Sequence, residues 1–255
     1  MVLDTIKLKV GDYMTPDAIS VDSETSLSDA ISIMARKNIG HLVIEKDGKP
    51  STILTEREIL SYVVKEGGIP EIRMKDVPTK RFATVSPNDL VIEAARIMLE
   101  NKKRLLVFED GKPLGIITVS DMLRGLRTTG GNPKLDGVMR GKVYGCSNHD
   151  SIFKATKIMY SKKVGSVLVS KDEKYQGIFT ERDLLTKVLD KGIDPKDRLE
   201  GYSSFPLVTA KIGIKGNEAA EIMATHKIKR LPLVENDKIK GIITARDVVD
   251  AFRRL

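Results

Sequence analysis

The sequence predicts an α/β protein of four β-α-β-β-α repeats arranged as two paired modules. Three observations carry that prediction: a threonine motif returning at near-constant spacing, an amphipathic helix ahead of each copy, and two short apolar strands between them. The motif is apolar–apolar–Thr–x–x–acidic, in Ile53-Leu54-Thr55-Glu56-Arg57-Glu58, Ile116-Ile117-Thr118-Val119-Ser120-Asp121, Ile178-Phe179-Thr180-Glu181-Arg182-Asp183 and Ile242-Ile243-Thr244-Ala245-Arg246-Asp247. Its threonines stand 63, 62 and 64 residues apart.

The elements of each repeat follow in order. Leu27, Ala30, Ile31 and Met34 lie at helical spacing, as do Val91, Ala94, Ala95 and Met98; Ile152, Ala155, Ile158 and Met159; and Ala219, Ala220 and Met223. The methionines read as core, because a flexible thioether fills irregular apolar gaps. A first strand follows each helix (Leu42-Val43-Ile44, Leu105–Phe108, Val167-Leu168-Val169, Leu231–Val234), then a turn such as Asp47-Gly48 or Asp110-Gly111. Two strands joined so tightly form a hairpin. A second helix opens at the motif, marked by Ile59, Leu60 and Val63 in repeat one and by Leu184, Leu185, Val188 and Leu189 in repeat three. One such unit cannot bury both helix stripes, so neighbouring units should pair. Gly-Gly and Asn-Pro signals mark a linker at residues 128–134. The repeats then run over residues 8–66, 72–127, 135–191 and 198–254.

Composition sets the class. Hydrophobic residues are 41% and charged residues 31%, as in a folded, soluble protein. No apolar run approaches the ~18 residues that cross a bilayer, and the first seven residues lack the apolar stretch of a secretory signal. Cys146 is the only cysteine, which excludes an intrachain disulfide and a cysteine-based metal site. A reducing, cytoplasmic location is the expectation. A net charge of +8 favours an anionic partner: nucleic acid, acidic lipid or a phosphorylated small molecule.

The lead-in Tyr13-Met14-Thr15-Pro16, the helix–strand–strand core and the closing Gly–x–x–Thr–x–x–Asp run together resemble the cystathionine-β-synthase (CBS) domain, in tandem pairs known as Bateman modules. The resemblance covers nearly the whole chain, four times over. It implies binding of an adenosine compound in clefts between paired repeats. The motif Asp would hold the ribose and the Thr would lie near ribose or phosphate, which points to Thr118 with Asp121, Thr180 with Asp183, and Thr244 with Asp247. It also implies self-association, with a homodimer expected.

The same motif is a helix capping box, in which Thr satisfies a first-turn N–H and the acidic residue reaches back. The box favours the longer Glu or Gln, so Asp121, Asp183 and Asp247 are expected to reach back poorly, leaving their carboxylates for a ligand; Glu58 alone fits the capping preference. Gly115, Gly177 and Gly241 precede the threonine by three residues and would permit close ligand or backbone approach. Repeat one has Thr52 there and Glu58 for Asp, so capping is its expected role.

Counting back from the motif sets His41, Arg104, Ser166 and Arg230 at one equivalent position, beside Lys102, Lys103, Lys162, Lys163, Lys227 and Lys229. Cations there stabilise a helix C-terminus. An arginine at the strand start also presents a planar fork suited to phosphate, so Arg104 and Arg230 are candidate phosphate ligands, with Lys163 a substitute in repeat three. The base would lie against Ile19, Ala83, Tyr144 and Val208. Repeats two and four then carry the full set, repeat three lacks the arginine and repeat one fails twice.

Catalysis is not expected. His41, His149 and His226 are scattered, and no phosphate loop, nucleophile elbow or metal-binding helix motif occurs. The favoured reading is a sensor of AMP, ADP, ATP or a related adenosine compound that needs no cofactor, is read by a protein partner and has no membrane contact. S-adenosylmethionine is an alternative ligand. Nucleic-acid binding ranks lower, because the basic residues recur once per repeat instead of forming a tract and only 5% of residues are aromatic.

Overall fold

A computed structural model describes residues 7–101 and 104–255; Lys102 and Lys103, named above with the basic junction, lie outside them. The first long helices of the repeats are Leu27–Arg36, Val91–Asn101, Ile152–Ser161 and Gly216–Thr225. Ser26 and Ser151 cap two of these, accepting from the N–H of Asp29 at 3.0 Å and of Lys154 at 3.1 Å. Ala30, Met34, Ala94, Met98, Ala155, Met159, Ala219 and Met223 are all buried, so the helical stripe is core as expected.

A hairpin follows in each repeat: His41–Lys46 with Lys49–Thr55, Leu105–Glu109 with Lys112–Ile117, Ser166–Lys171 with Lys174–Thr180, and Arg230–Glu235 with Lys238–Thr244. Both central turn residues are left-handed in every copy: Asp47 and Gly48, Asp110 and Gly111, Asp172 and Glu173, Asn236 and Asp237. That is the tight turn whose twist matches paired strands, and it sets the hairpin register. A short strand lies parallel to the first hairpin strand, at Ser20–Asp22, Ala83–Val85, Gly145–Ser147 and Ala210–Lys211.

The closing helices are Glu56–Glu66, Val119–Leu126 and Ala245–Arg253 in repeats one, two and four. In repeat three the α-helical turn Glu181–Asp183 passes into a π-helical turn over Leu184–Val188. Adjacent Leu184 and Leu185 are both buried there, in separate apolar clusters, and a widened turn lets successive side chains serve both.

The chain forms two compact units that do not follow the break at residues 128–134. One joins the N-terminal segment through Ala18, Arg81–Val143 and Val208–Leu255; the other joins Ile19–Lys80 and Tyr144–Leu207. Repeats two and four thus share one unit, repeats one and three the other. The alternation is reconciled with the tandem order by the lead-in segments, each of which pairs with a hairpin of the next or preceding repeat: Thr15 opposite Ile116, Lys80 opposite Ile53, Arg140 opposite Ile242 and Ser204 opposite Ile178. In the first unit one apolar cluster runs from Val91, Ala95 and Met122 to Val248 and Phe252. The stretch 128–134 packs within that unit: Thr129 is buried, and the Gly216 N–H donates to the Pro133 carbonyl at 2.8 Å.

Three of these four crossings need glycine; that at Lys80 has Thr52 in the equivalent place. A Cβ on Gly115 would run into the carbonyl oxygen of Thr15, one on Gly241 would stand 2.8 Å from that of Arg140, and one on Gly177 3.0 Å from that of Ser204. The close approach that the glycines permit is therefore an approach of backbone. Gly115→Ala should cost about 1–3 kcal/mol through this overpacking, read as a lower urea midpoint at unchanged slope. A midpoint equal to wild type would contradict the assigned strand crossing.

Candidate functional site

The motif threonine ends the second hairpin strand, and the registers set it opposite the candidate cation position: His41 faces Thr55, Ser166 faces Thr180 and Arg230 faces Thr244. In repeat two Leu105 faces Ile117, which sets Arg104 beside Thr118. Directly opposed residues project from one face of a sheet, so the two side chains of each pair share that face. The base candidates stand one strand over at one equivalent position. The Ala83 N–H donates to the Arg104 carbonyl at 2.9 Å, while the Ile19 and Tyr144 carbonyls accept from Val43 at 3.0 Å and Leu168 at 2.9 Å. In repeat four the residue matching Val43 is Pro232, which has no N–H to offer Val208. Arg104 and Arg230 both hold interactions within the chain. Lys163 is exposed, in a left-handed conformation at its helix end, and Lys162 lies 6.0 Å from the Tyr144 ring centroid.

All four motifs are reciprocal capping boxes, correcting the expectation that aspartate would reach back poorly. Asp121, Asp183 and Asp247 each accept through Oδ2 from the threonine N–H, at 2.8, 2.9 and 2.8 Å, and from its hydroxyl. Glu58 does the same for Thr55 through Oε2. The extended backbone of the cap residue, with φ near −120°, brings the threonine N–H within a short side chain's reach.

One oxygen of each carboxylate is thereby committed, and the other points outward. Glu58 Oε1 meets Lys80 Nζ at 3.1 Å, Asp183 Oδ1 meets Lys187 Nζ at 2.7 Å and accepts from Ser204 at 2.8 Å, and Asp247 Oδ1 meets Arg140 at 3.2 Å. Lys80, Ser204 and Arg140 occupy one equivalent lead-in position, opposite the isoleucine two residues before the threonine. Repeat two has Thr15 there, and Asp121 Oδ1 instead meets Arg124 at 2.9 Å. Arg124 in turn donates to the Tyr13 carbonyl at 2.7 Å. Sequence reasoning missed these partners, because their equivalence spans repeats and only the strand register reveals it. The three aspartate side chains are 5%, 5% and 12% exposed while Lys187, Arg124 and Arg140 are 37%, 49% and 59% exposed, so each outward oxygen faces a displaceable cover.

A second set of contacts joins the closing helices. Arg57 pairs with Glu181 at 2.8 Å and donates to the Met159 carbonyl at 3.2 Å. Arg182 reciprocates onto Glu56 and donates to the Asn38 carbonyl at 2.7 Å. Repeats one and three are thus bracketed twice. In the other unit Arg246 donates to the Met98 carbonyl at 3.1 Å, but the residues matching Glu56 and Glu181 are Val119 and Ala245. Burial lowers the Arg246 guanidinium from its ordinary value; the charge of Arg104 and, more weakly, Arg140 acts the same way, against an opposing pull from Asp247.

Among the described residues no three His, Cys, Asp or Glu side chains are grouped to hold a metal ion, and no helix is long and apolar enough to cross a membrane. His149 and His226 are exposed. Cys146 is buried in the core between Val167 and Val169.

A sequence profile of the CBS domain matches residues 10–65, 74–128, 135–190 and 199–254. An uncharacterized protein of Methanocaldococcus jannaschii is 26% identical over 94% of this chain and 61% of its own length. Inosine-5'-monophosphate dehydrogenase of Aquifex aeolicus is 40% identical over 37% of this chain and 19% of the enzyme. The chain spans less than two thirds of either relative. Among solved structures, a second M. jannaschii protein, described as a candidate archaeal homologue of γ-AMPK, has a TM-score of 0.78 at 21% identity, covering 96% of this chain and all of its own. A Pyrococcus horikoshii protein reaches 0.67 at 20% identity over the same 96%, again with full coverage of its own chain. At these identities the likeness is one of fold.

Burial, with Asp150 adding to it, pushes the Cys146 thiol up to about 12. Thiolate is the reactive form, so the folded protein should release no thionitrobenzoate from a disulfide reagent at pH 8 and one equivalent after unfolding in urea. Rapid release from the folded chain would contradict this placement.

Proposed function

Because the chain belongs to the CBS-domain family, with four copies in tandem, we propose that it is a non-catalytic regulatory module whose second, third and fourth repeats take an adenosine nucleotide. The observation that carries the reading is the divided carboxylate of the motif. Oδ2 of Asp121, Asp183 and Asp247 is held rigid by the cap, while Oδ1 faces outward under a cation or hydroxyl supplied from the rim. A ribose diol can take the place of that cover and donate to a carboxylate already oriented. Ordering the acceptor beforehand reduces the entropy lost on binding.

Other groups suit the remaining parts of such a ligand. The motif threonine and Arg104 or Arg230 stand on the face where phosphate would follow the ribose. In repeat four the Val208 carbonyl, opposite the N–H-less Pro232, is an acceptor for an adenine amino group. Repeat one keeps a Glu58–Lys80 pair and His41 in these places and remains structural. The names of two relatives agree in kind: one is described as a candidate homologue of γ-AMPK, the other is a dehydrogenase of inosine monophosphate. A bound nucleotide would favour one arrangement of the repeats by its differential affinity, and a partner protein would read that arrangement.

A thermal-shift screen with AMP, ADP, ATP, S-adenosylmethionine, GMP and duplex DNA tests the reading. An adenosine ligand at a hundred times its dissociation constant should stabilise by about 2.7 kcal/mol. Asp247→Ala should abolish part of that shift and Glu58→Ala none of it. Absence of a shift with every adenosine compound at millimolar concentration, or a shift with DNA alone, would reject it.

A further inference from the structure

The sheet of repeat four departs from the other three at one residue. Strand Arg230–Glu235 lies between Ala210–Lys211 and Lys238–Thr244, so its backbone groups serve neighbours on both sides. Proline forfeits a ladder hydrogen bond and is confined as a rule to edge strands, strand starts and bulges, yet Pro232 is buried within this central strand. The bulge that follows Leu233 does not account for it, because repeats one and two bulge at the matching place, after Ile44 and Val107, without a proline. Val43, Leu106 and Leu168 stand where Pro232 stands.

Those three residues give their N–H to the neighbouring strand. Val43 donates to the Ile19 carbonyl at 3.0 Å and Leu168 to that of Tyr144 at 2.9 Å. Thr84 pairs with Leu106 as Ser20 pairs with Val43, which gives the Ala83 carbonyl the same donor. Pro232 has no N–H, and among the described residues no other donor meets the carbonyl of half-buried Val208. The parallel pairing also starts late. It begins at Ser20, Ala83 and Gly145 in the first three repeats, at the base-candidate position or one residue past it, and at Ala210 in the fourth, two residues past Val208. The two strands of repeat four therefore part just where the carbonyl is left open. A carbonyl removed from water without a donor costs free energy, and a local rule broken inside an otherwise regular sheet points to a task for the gap. The gap adjoins the strand on which Arg230 faces Thr244.

We propose that Pro232 makes repeat four the base-selective site of the chain. The Val208 carbonyl that it leaves open accepts the exocyclic amino group of a 6-aminopurine and turns away a 6-oxopurine, whose oxygen would face it lone pair to lone pair. Repeats two and three, with that carbonyl already bonded, hold the two kinds of nucleotide alike. The open carbonyl is a property of the chain alone; the ligand that meets it rests on the nucleotide reading above.

Pro232→Ala and Pro232→Leu, the second supplying the residue of repeats two and three, restore the N–H. In either variant NMR should show the amide of residue 232 protected from exchange like that of Leu168, with a coupling across the hydrogen bond to the Val208 carbonyl carbon. Base choice is read by titration calorimetry with AMP and inosine monophosphate, which share ribose and phosphate. In a chain carrying Asp121→Asn and Asp183→Asn, which leave repeat four to bind alone, AMP should bind about tenfold or more tighter than inosine monophosphate. Adding Pro232→Leu should weaken AMP and bring the two within about twofold. In a chain carrying Asp247→Asn the two should already be that close. A preference for AMP that survives Pro232→Leu while the new amide is bonded to Val208 overturns the proposal, as does a residue 232 amide that exchanges freely in both variants. Equal binding of the two nucleotides at repeat four rejects the selection and leaves the nucleotide reading standing; no binding of either nucleotide to any of these chains rejects both.

Discussion

Everything in this protein turns on a carboxylate with its two oxygens assigned to different tasks. One oxygen of Glu58, Asp121, Asp183 or Asp247 closes the cap of a helix, accepting from the threonine N–H that the last strand residue presents. A cap of this kind is worth about 1 kcal/mol, and it fixes where strand ends and helix begins in all four repeats. The other oxygen is then aimed by the same bond that orders the first. One set of bonds thus fixes the whole carboxylate, with no further cost in rotamer entropy for its second oxygen.

The outward oxygen is covered from elsewhere in the chain in repeats one, three and four, and by Arg124 of the same helix in repeat two. Because the lead-in segments cross, Lys80 covers Glu58 in repeat one, Ser204 covers Asp183 in repeat three and Arg140 covers Asp247 in repeat four. Glycine at positions 177 and 241 lets the Ser204 and Arg140 segments approach closely, whereas Lys80 reaches Glu58 across a hairpin that has Thr52 at that position. Folding of one repeat thus completes the site of its neighbour, and the motif in isolation would lack half of its surroundings.

The closing helices couple alternate repeats, and there the two units part company. Arg57 with Glu181 and Arg182 with Glu56 form reciprocal, partly buried pairs in which removal of either partner strands a charge. Arg246 repeats the Arg57 geometry at the Met98 carbonyl, and the motif positions of the two glutamates are held by Val119 and Ala245. The unit of repeats one and three thus carries two reciprocal Arg–Glu contacts, and that of repeats two and four an arginine–carbonyl contact alone at the matching place.

The repeat, its elements and the equivalence of His41, Arg104, Ser166 and Arg230 are legible in the sequence, because helix period, strand pattern and turn residues are local properties that need no knowledge of distant chain. It also singled out Thr118, Asp121, Thr180, Asp183, Thr244 and Asp247, since a cap is encoded within four residues. The reach of the aspartates was misjudged from their length, as the backbone angles at the cap settle that distance. That repeats one and three share a unit, that Lys80, Ser204 and Arg140 cover carboxylates, and that Arg246 reaches the Met98 carbonyl emerge from the folded chain. Those are contacts between residues tens of positions apart, set by strand register and helix packing, and no local pattern in the chain specifies them.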